Sequence, residues 1–208
     1  MLNQKGFNLW ANEYDTTVQI SEENNVYPFA GYKKILNMIF NEVMKNPQST
    51  VLDIGFGTGV LTGKLYEHGH LIDGIDFSSE MIRLAQMKMP EANLMEWDFS
   101  KGLPESVKEK QYDWIISTYA LHHLTDQDKV EFIQGLLPVL SKTGKILIGD
   151  ISFNNREQLE HCKKENLAYW DHDEFYFAAD EICEALNPYA QCGYHAVSHC
   201  GGIFVITA

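Results

Sequence analysis

Apolar residues recur along this chain with two alternating periods. Within residues 31–46, Ile35, Leu36, Ile39, Phe40, Val43 and Met44 repeat at helical spacing, which predicts one helix with a single apolar face, stopped by Pro47. A short apolar run over 50–54 then reads as a strand, ends in glycines, and leads into a helical pattern over 60–67. The alternation persists, with a strand over 71–76, a helix over 78–88 capped by Ser78 or Ser79 and ended by Pro90, a weak strand over 93–96 and a strong one over 112–117. A helix follows over 126–140, capped by Thr125 and interrupted at Pro138; residues 141–144 read as a turn and 145–150 as a fifth strand. The tail holds helical stretches over about 155–169 and 177–186, then two runs, 193–198 and 203–208, which the Gly201-Gly202 pair joins as a hairpin. Strands alternating with helices define an α/β doubly wound fold: a mainly parallel sheet covered on both faces, with the hairpin as an antiparallel edge.

No repeat or linker divides the 208 residues, so a single domain spans 1–208, with an irregular segment over 1–30 and the core over 31–208. Composition narrows the partners. Sixteen basic against 29 acidic residues leave a net charge of −13, which repels a phosphate backbone, so nucleic acid and anionic membrane surfaces are not expected. No apolar run reaches the roughly 20 residues of a spanning helix, and residues 1–10 lack the features of a signal peptide. A cytoplasmic location is the expectation. The four cysteines, Cys162, Cys183, Cys192 and Cys200, form no C-x-x-C pair, and reduced thiols are expected.

The chemistry concentrates at Val51-Leu-Asp-Ile-Gly55-Phe-Gly57-Thr-Gly59, a strand running into glycines at alternate positions and then a helix. Glycine lets the backbone turn sharply there and approach a ligand closely. A dinucleotide fingerprint places its third glycine five residues after the first, and here that position is Val60. Asp53, at the mouth of the loop, opposes a bound pyrophosphate and suits a ligand with an ammonium group. Asp76 ends the second strand 21 residues after Gly55, where a doubly wound fold places an acceptor for ribose hydroxyls; an NAD enzyme uses the same acid. Asp98 follows the third strand and can accept from an adenine amine, with Phe77 or Trp97 packed on the ring. These acids, with no basic residue expected among them, favour a cationic adenosyl ligand. Each has a plainer reading: Asp76 as a helix-start residue, Asp98 as a solvated turn, Asp113 as a structural strand residue.

These segments, with Gly74-Ile-Asp76, Trp97-Asp98 and Tyr112-Asp-Trp-Ile-Ile-Ser117, resemble the class I S-adenosylmethionine-dependent methyltransferases. Trp10-Ala11, Tyr14-Asp15, the stretch Ser117-Thr-Tyr-Ala-Leu-His-His-Leu-Thr-Asp126 and Gly144-Lys145-Ile146 are similar to the YrrT-like group of small bacterial methyltransferases. The resemblance is strongest over 50–153 and weak after about 155. It implies a Rossmann-like, seven-stranded sheet, donor contacts at Gly55, Asp76 and Asp98, and S-adenosyl-L-methionine as the methyl source. It also implies a cytoplasmic location and a role around methionine and cysteine recycling. One departure is Asp53, where the family often has Glu, which keeps the charge.

The expected activity is transfer of a methyl group to a small-molecule acceptor; a noncatalytic donor-binding protein is the alternative. His122-His123 lies after the fourth strand, near the donor's expected methyl end. His122 is the candidate general base and His123 a structural residue, although alignment alone can accelerate attack on a sulfonium. Tyr14, Tyr119 and Tyr176 are candidates to pack round the sulfonium or the acceptor. The N-terminal segment, with Trp10, Tyr14 and Phe29, is expected to close over the cleft as a lid. No metal is expected. His195 and His199 stand about 13 Å apart on a strand at ~3.3 Å per residue, too far to share an ion, and residues 171–174, which lack the pattern of a calcium loop, read as a solvated turn.

Overall fold

A computed structural model describes residues 26–208. The elements are α1 (Tyr32–Val43), β1 (Thr50–Ile54), α2 (Val60–Glu67), β2 (Leu71–Asp76), α3 (Ser79–Lys88), β3 (Asn93–Glu96), α4 (Glu105–Lys108), β4 (Tyr112–Thr118), α5 (Asp126–Leu136), β5 (Leu140–Phe153), α6 (Arg156–Glu165), β6 (Phe177–Ala178), α7 (Ala179–Leu186), β7 (Gln191–Ala196) and β8 (Gly201–Thr207). Short 3-10 turns at Phe99–Lys101, Leu121–His123 and Leu137–Val139 join them.

Seven strands run in the order β3-β2-β1-β4-β5-β8-β7, and the two-residue β6 pairs with the end of β5. β1 to β5 are mutually parallel, whereas β8 is antiparallel to both β5 and β7. This is the expected Rossmann-like, mainly parallel sheet with antiparallel strands at its C-terminal edge. Its central strands are apolar on both faces because both are covered. Val51, Trp114, Ile116 and Leu147 belong to one core with α1, α2 and α3, while Leu52, Ile54, Ile115, Ile146 and Ile148 belong to the other with α5 and α7. Each such buried aliphatic side chain contributes roughly 1.5–3 kcal/mol.

Register lines up the strand ends that matter. Ile54 pairs with Ile75 and Ser117, and Asp76 with Glu96, so the residues that follow β1, β2, β3 and β4 emerge along one edge. Since β2 and β3 continue to one side of β1 and β4 and β5 lie on the other, the order reverses between β1 and β4. That reversal opens a crevice at the strands' carboxyl ends, the place where open α/β sheets bind ligands.

Four readings change. Gly201-Gly202 begins β8 rather than forming the turn, because the Tyr194 side chain occupies the space of a Gly202 Cβ, its hydroxyl at 2.4 Å and its ring at 2.6 Å. The turn is made by residues 197–200, with Val197 and Ser198 amides both donating to the Gly201 carbonyl. Residues 141–144 lie within β5 as a bulge, since register passes from Tyr112↔Leu140 to Trp114↔Lys145. The segment over 177–186 starts as strand β6 before it becomes helix. Finally, Cys183 of α7 and Cys192 of β7 are paired in a disulfide, with Cα atoms 5.2 Å apart, leaving Cys162 and Cys200 as buried free thiols. Among the described residues no helix is long and apolar enough to cross a membrane.

Candidate active site

The crevice is floored by the glycine loop. Gly55, Gly57 and Gly59 all have positive φ, at 70°, 56° and 73°, so the loop conformation itself requires glycine. Their surroundings differ. A Cβ on Gly55 would meet Ala120 Cβ at 2.4 Å and one on Gly59 would meet Met89 Cε at 3.0 Å, whereas a Cβ on Gly57 would meet nothing within 4 Å. Gly55 and Gly59 therefore serve packing, and Gly57 faces the open crevice.

Asp53 is 1% exposed; its Oδ2 accepts from the Thr62 hydroxyl, and its Oδ1 is buried with no hydrogen-bond partner among the described residues. Burial, partly offset by Thr62, pushes the carboxyl up to about 7. Asp76 ends β2 and binds the loop to the next helix: Oδ2 accepts from the Gly57 amide and Oδ1 from the Ser78 amide, each at 2.9 Å. Burial raises its pKa and these amides oppose the rise. Ser78 caps α3, its side chain accepting from the Met81 amide.

The residues expected to line the adenine end are less committed to it. Asp98 caps the turn over Phe99–Lys101, accepting from Ser100 at 3.1 Å from the amide and 2.6 Å from the hydroxyl, and pairs with Lys101 at 3.2 Å. Trp97 donates its indole N–H to the Gly102 carbonyl at 2.8 Å, and Phe77 is half-buried at the end of β2. The expectation of an edge without basic residues needs correction: besides Lys101, Lys88 donates to the Thr58 carbonyl at 2.7 Å, beside the glycine loop. Phe99 escaped the sequence reading. Its ring lies 3.7 Å from the position of a Gly55 Cβ and packs against Phe132, a placement signalled only by its adjacency to Asp98.

Across the crevice, β4 leads through Tyr119, at φ 52°, into the turn Leu121–His123. Tyr119 is buried against Phe29 and Tyr32, with ring centroids 5.4 and 5.0 Å away. The buried Asp150 carboxylate pins the turn from β5, Oδ2 accepting from the Leu121 and His122 amides and Oδ1 lying 2.6 Å from His122 Nδ1. Glu174 Oε1 lies 3.5 Å from His122 Nε2. Residues 171–173 are exposed as expected of a solvated turn, but Glu174 turns inward, held through Oε2 by the Tyr176 hydroxyl at 2.7 Å.

Both carboxylates act on the titration of His122. Burial alone would depress the imidazole, but Asp150 and then Glu174 outweigh it and push it up to about 10. His123 moves the other way, to about 4, through burial and its neighbour's charge. Tyr176 is buried between Tyr27, 2.5 Å away by its hydroxyl, and Trp170, which places it in an aromatic cluster. Thr125 caps α5, accepting from the Asp128 amide at 3.2 Å. His195 and His199 are exposed. Trp10 and Tyr14 lie outside the described residues.

Residues 51–144 match a family described as methyltransferase domain. A protein of Anoxybacillus flavithermus, named an uncharacterized methyltransferase, is 40% identical over 154 residues, covering 74% of this chain and 69% of its own length. YrrT of Halobacillus halophilus, also named an uncharacterized methyltransferase, is 33% identical over 188 residues, 87% of this chain and 85% of its own. Among solved structures, the DhpI-SAM-HEP complex aligns with a TM-score of 0.71 at 17% identity, covering 97% of this chain and 94% of that one. Magnesium protoporphyrin IX methyltransferase of Synechocystis PCC 6803 with bound SAH aligns at 0.68 and 18% identity, covering 86% and 85%. These two likenesses show the fold. The chain belongs to the class I S-adenosylmethionine-dependent methyltransferases. Its relatives of 33–40% identity set it beside YrrT.

Proposed function

We propose that this methyltransferase acts on a small-molecule acceptor in the cytoplasm and aligns it with the donor without a histidine base. S-adenosylmethionine brings, when bound, a methyl group already activated on a sulfonium sulfur. The chain's own contribution begins at the orphaned Asp53 Oδ1, whose chemistry fits the donor's ammonium. Gly57 leaves room for close approach, Gly55 and Gly59 shape the loop, and Asp76 keeps lone pairs for the ribose hydroxyls. Phe77, Trp97 and Asp98 are assigned to the adenine end.

What supports a small acceptor is the packing of the segment around 170–176 against the turn after β4: the Phe175 amide donates to the His122 carbonyl at 2.7 Å, and Trp170 stacks on Tyr27 at 5.2 Å. A segment packed there narrows the space for a large acceptor, and the −13 charge disfavours nucleic acid. Alignment in a water-poor cleft can supply much of the acceleration when the leaving group is a sulfonium.

Incubation of the full-length protein with methyl-labelled donor and a panel of metabolites tests this. Label is expected in a small product, in step with S-adenosylhomocysteine release. Label only in protein or RNA would overturn the assignment.

A further inference from the structure

Two carboxylates from distant parts of the chain converge on one imidazole, and a second histidine stands beside it. We propose that His122, His123 and Glu174 form a binding site for a divalent transition-metal ion of zinc-like chemistry beside the donor crevice. Their ligand atoms all lie within 4.8 Å of one another. Donors at ~2.0–2.1 Å on a tetrahedral ion stand about 3.4 Å apart, and His122 Nε2 is 3.5 Å from Glu174 Oε1.

The surroundings supply what metal ligands require. Asp150, fully buried, holds His122 through Nδ1 at 2.6 Å, which fixes the ring and directs Nε2 at Glu174; ligation through Nε2 would release to solvent the second proton that the two carboxylates favour on the metal-free imidazole. A carboxylate behind a ligating histidine is the usual second layer of a metal site. Glu174 is oriented in the same way, its other oxygen held by Tyr176, whose hydroxyl is braced by Tyr27 at 2.5 Å. The hydrogen bond from the Phe175 amide to the His122 carbonyl joins the two ligand-bearing segments directly. Two imidazoles and one carboxylate suit zinc or a neighbouring first-row ion better than magnesium or calcium, which prefer oxygen. The exposed His161–Glu165 pair, at 3.3 Å with side chains 73% and 63% accessible, has the same ligand types, and its exposure marks it as the adventitious competitor.

Three ligands among the described residues leave a coordination position for water or for an acceptor oxygen or sulfur, whose proton would pass to solvent on coordination. That last use rests on the methyl-transfer reading; the metal site itself does not.

The test uses tag-free, full-length protein stripped with EDTA and dialysed, titrated with zinc chloride by calorimetry and with Co²⁺ by visible absorption. One equivalent of Zn²⁺ is expected to bind with submicromolar Kd, and Co²⁺ to show the intense bands of a four-coordinate site. Glu174→Gln and His123→Ala are each expected to weaken Zn²⁺ at least about 100-fold, Asp150→Asn about 10- to 100-fold, and His161→Ala not at all. Absence of Zn²⁺ binding to the wild type, loss of it in His161→Ala, or full affinity in a folded Glu174→Gln would overturn the site. Should a variant fail to fold, wild-type stoichiometry and the Co²⁺ spectrum decide. S-adenosylhomocysteine titrated into the same metal-free protein separates the two claims: binding without Zn²⁺ uptake sinks the metal site alone, and Zn²⁺ uptake without nucleoside binding sinks the donor reading alone.

Discussion

Asp53 and Gly57 show how differently single residues declare themselves. Both were legible, Asp53 from its place before the glycines and Gly57 from its alternate spacing, yet only coordinates distinguish a glycine that packs from one that faces a ligand. Gly57→Val is predicted to lower donor affinity at least tenfold; its Cβ meets no neighbour within 4 Å, so its cost to folding is limited to the backbone strain of a branched residue at φ 56°. Gly55→Val carries the same strain and is also driven into Ala120, so it should lower the melting temperature by more. Calorimetry and thermal melts on the pair check this contrast. Asp53 predicts a pH dependence. Its folded pKa of about 7 exceeds the ordinary ~3.9 of an aspartate, so between those values the folded chain holds a proton the unfolded chain has released. Stability from this residue therefore falls as pH rises through that window. Asp53→Asn is expected to flatten the slope, measured by urea unfolding across the window. A donor ammonium beside Oδ1 favours the ionised carboxyl, so donor affinity should fall below about pH 7, and binding at lower pH should release a proton, detectable by titration in buffers of different ionisation enthalpy.

At the scale of elements, the parallel half of the sheet was readable because apolar runs, glycines and prolines agree on its boundaries. The tail was less so. A glycine pair marks either a turn or a close approach, and at Gly202 the deciding group, the Tyr194 ring, sits across a strand pairing that local sequence does not specify. The packing of residues 171–176 was hidden for a similar reason: what anchors them is Lys129, an apparently ordinary helix lysine. Lys129 is fully buried, pairs with Asp126 at 2.8 Å, donates to the Phe175 carbonyl and lies 4.5 Å over the Phe177 ring. Lys129→Met keeps the bulk but leaves that carbonyl unsatisfied, a loss of about 1–3 kcal/mol. Hydrogen exchange at the Phe175 amide is expected to accelerate along with a lower unfolding midpoint. Unchanged exchange would show that Lys129 does not anchor the segment.

Across the whole molecule, the donor side of the site was legible because its residues follow strands that the periodicity identifies. The other side was not. His122 was visible, but Asp150 lies 28 residues away and Glu174 52 away, and no local pattern joins them. That long-range company raises the pKa of the imidazole at the candidate position. Net charge acts at this scale too. With −13 on the chain, titration with tRNA at low salt should reveal no complex tighter than micromolar, and a salt-sensitive nanomolar complex would mean that a local basic patch overrides the average.

The account turns on the carboxyl edge of β1 and β2 being the donor site, and calorimetry with S-adenosylhomocysteine measures that directly. One molecule should bind per chain, NAD should not bind, and Asp76→Ala should lose about 2–3 kcal/mol, roughly 30- to 160-fold in Kd, for a removed charge-assisted acceptor. Equal affinity in wild type and Asp76→Ala, or binding of NAD in place of the nucleoside, would contradict it.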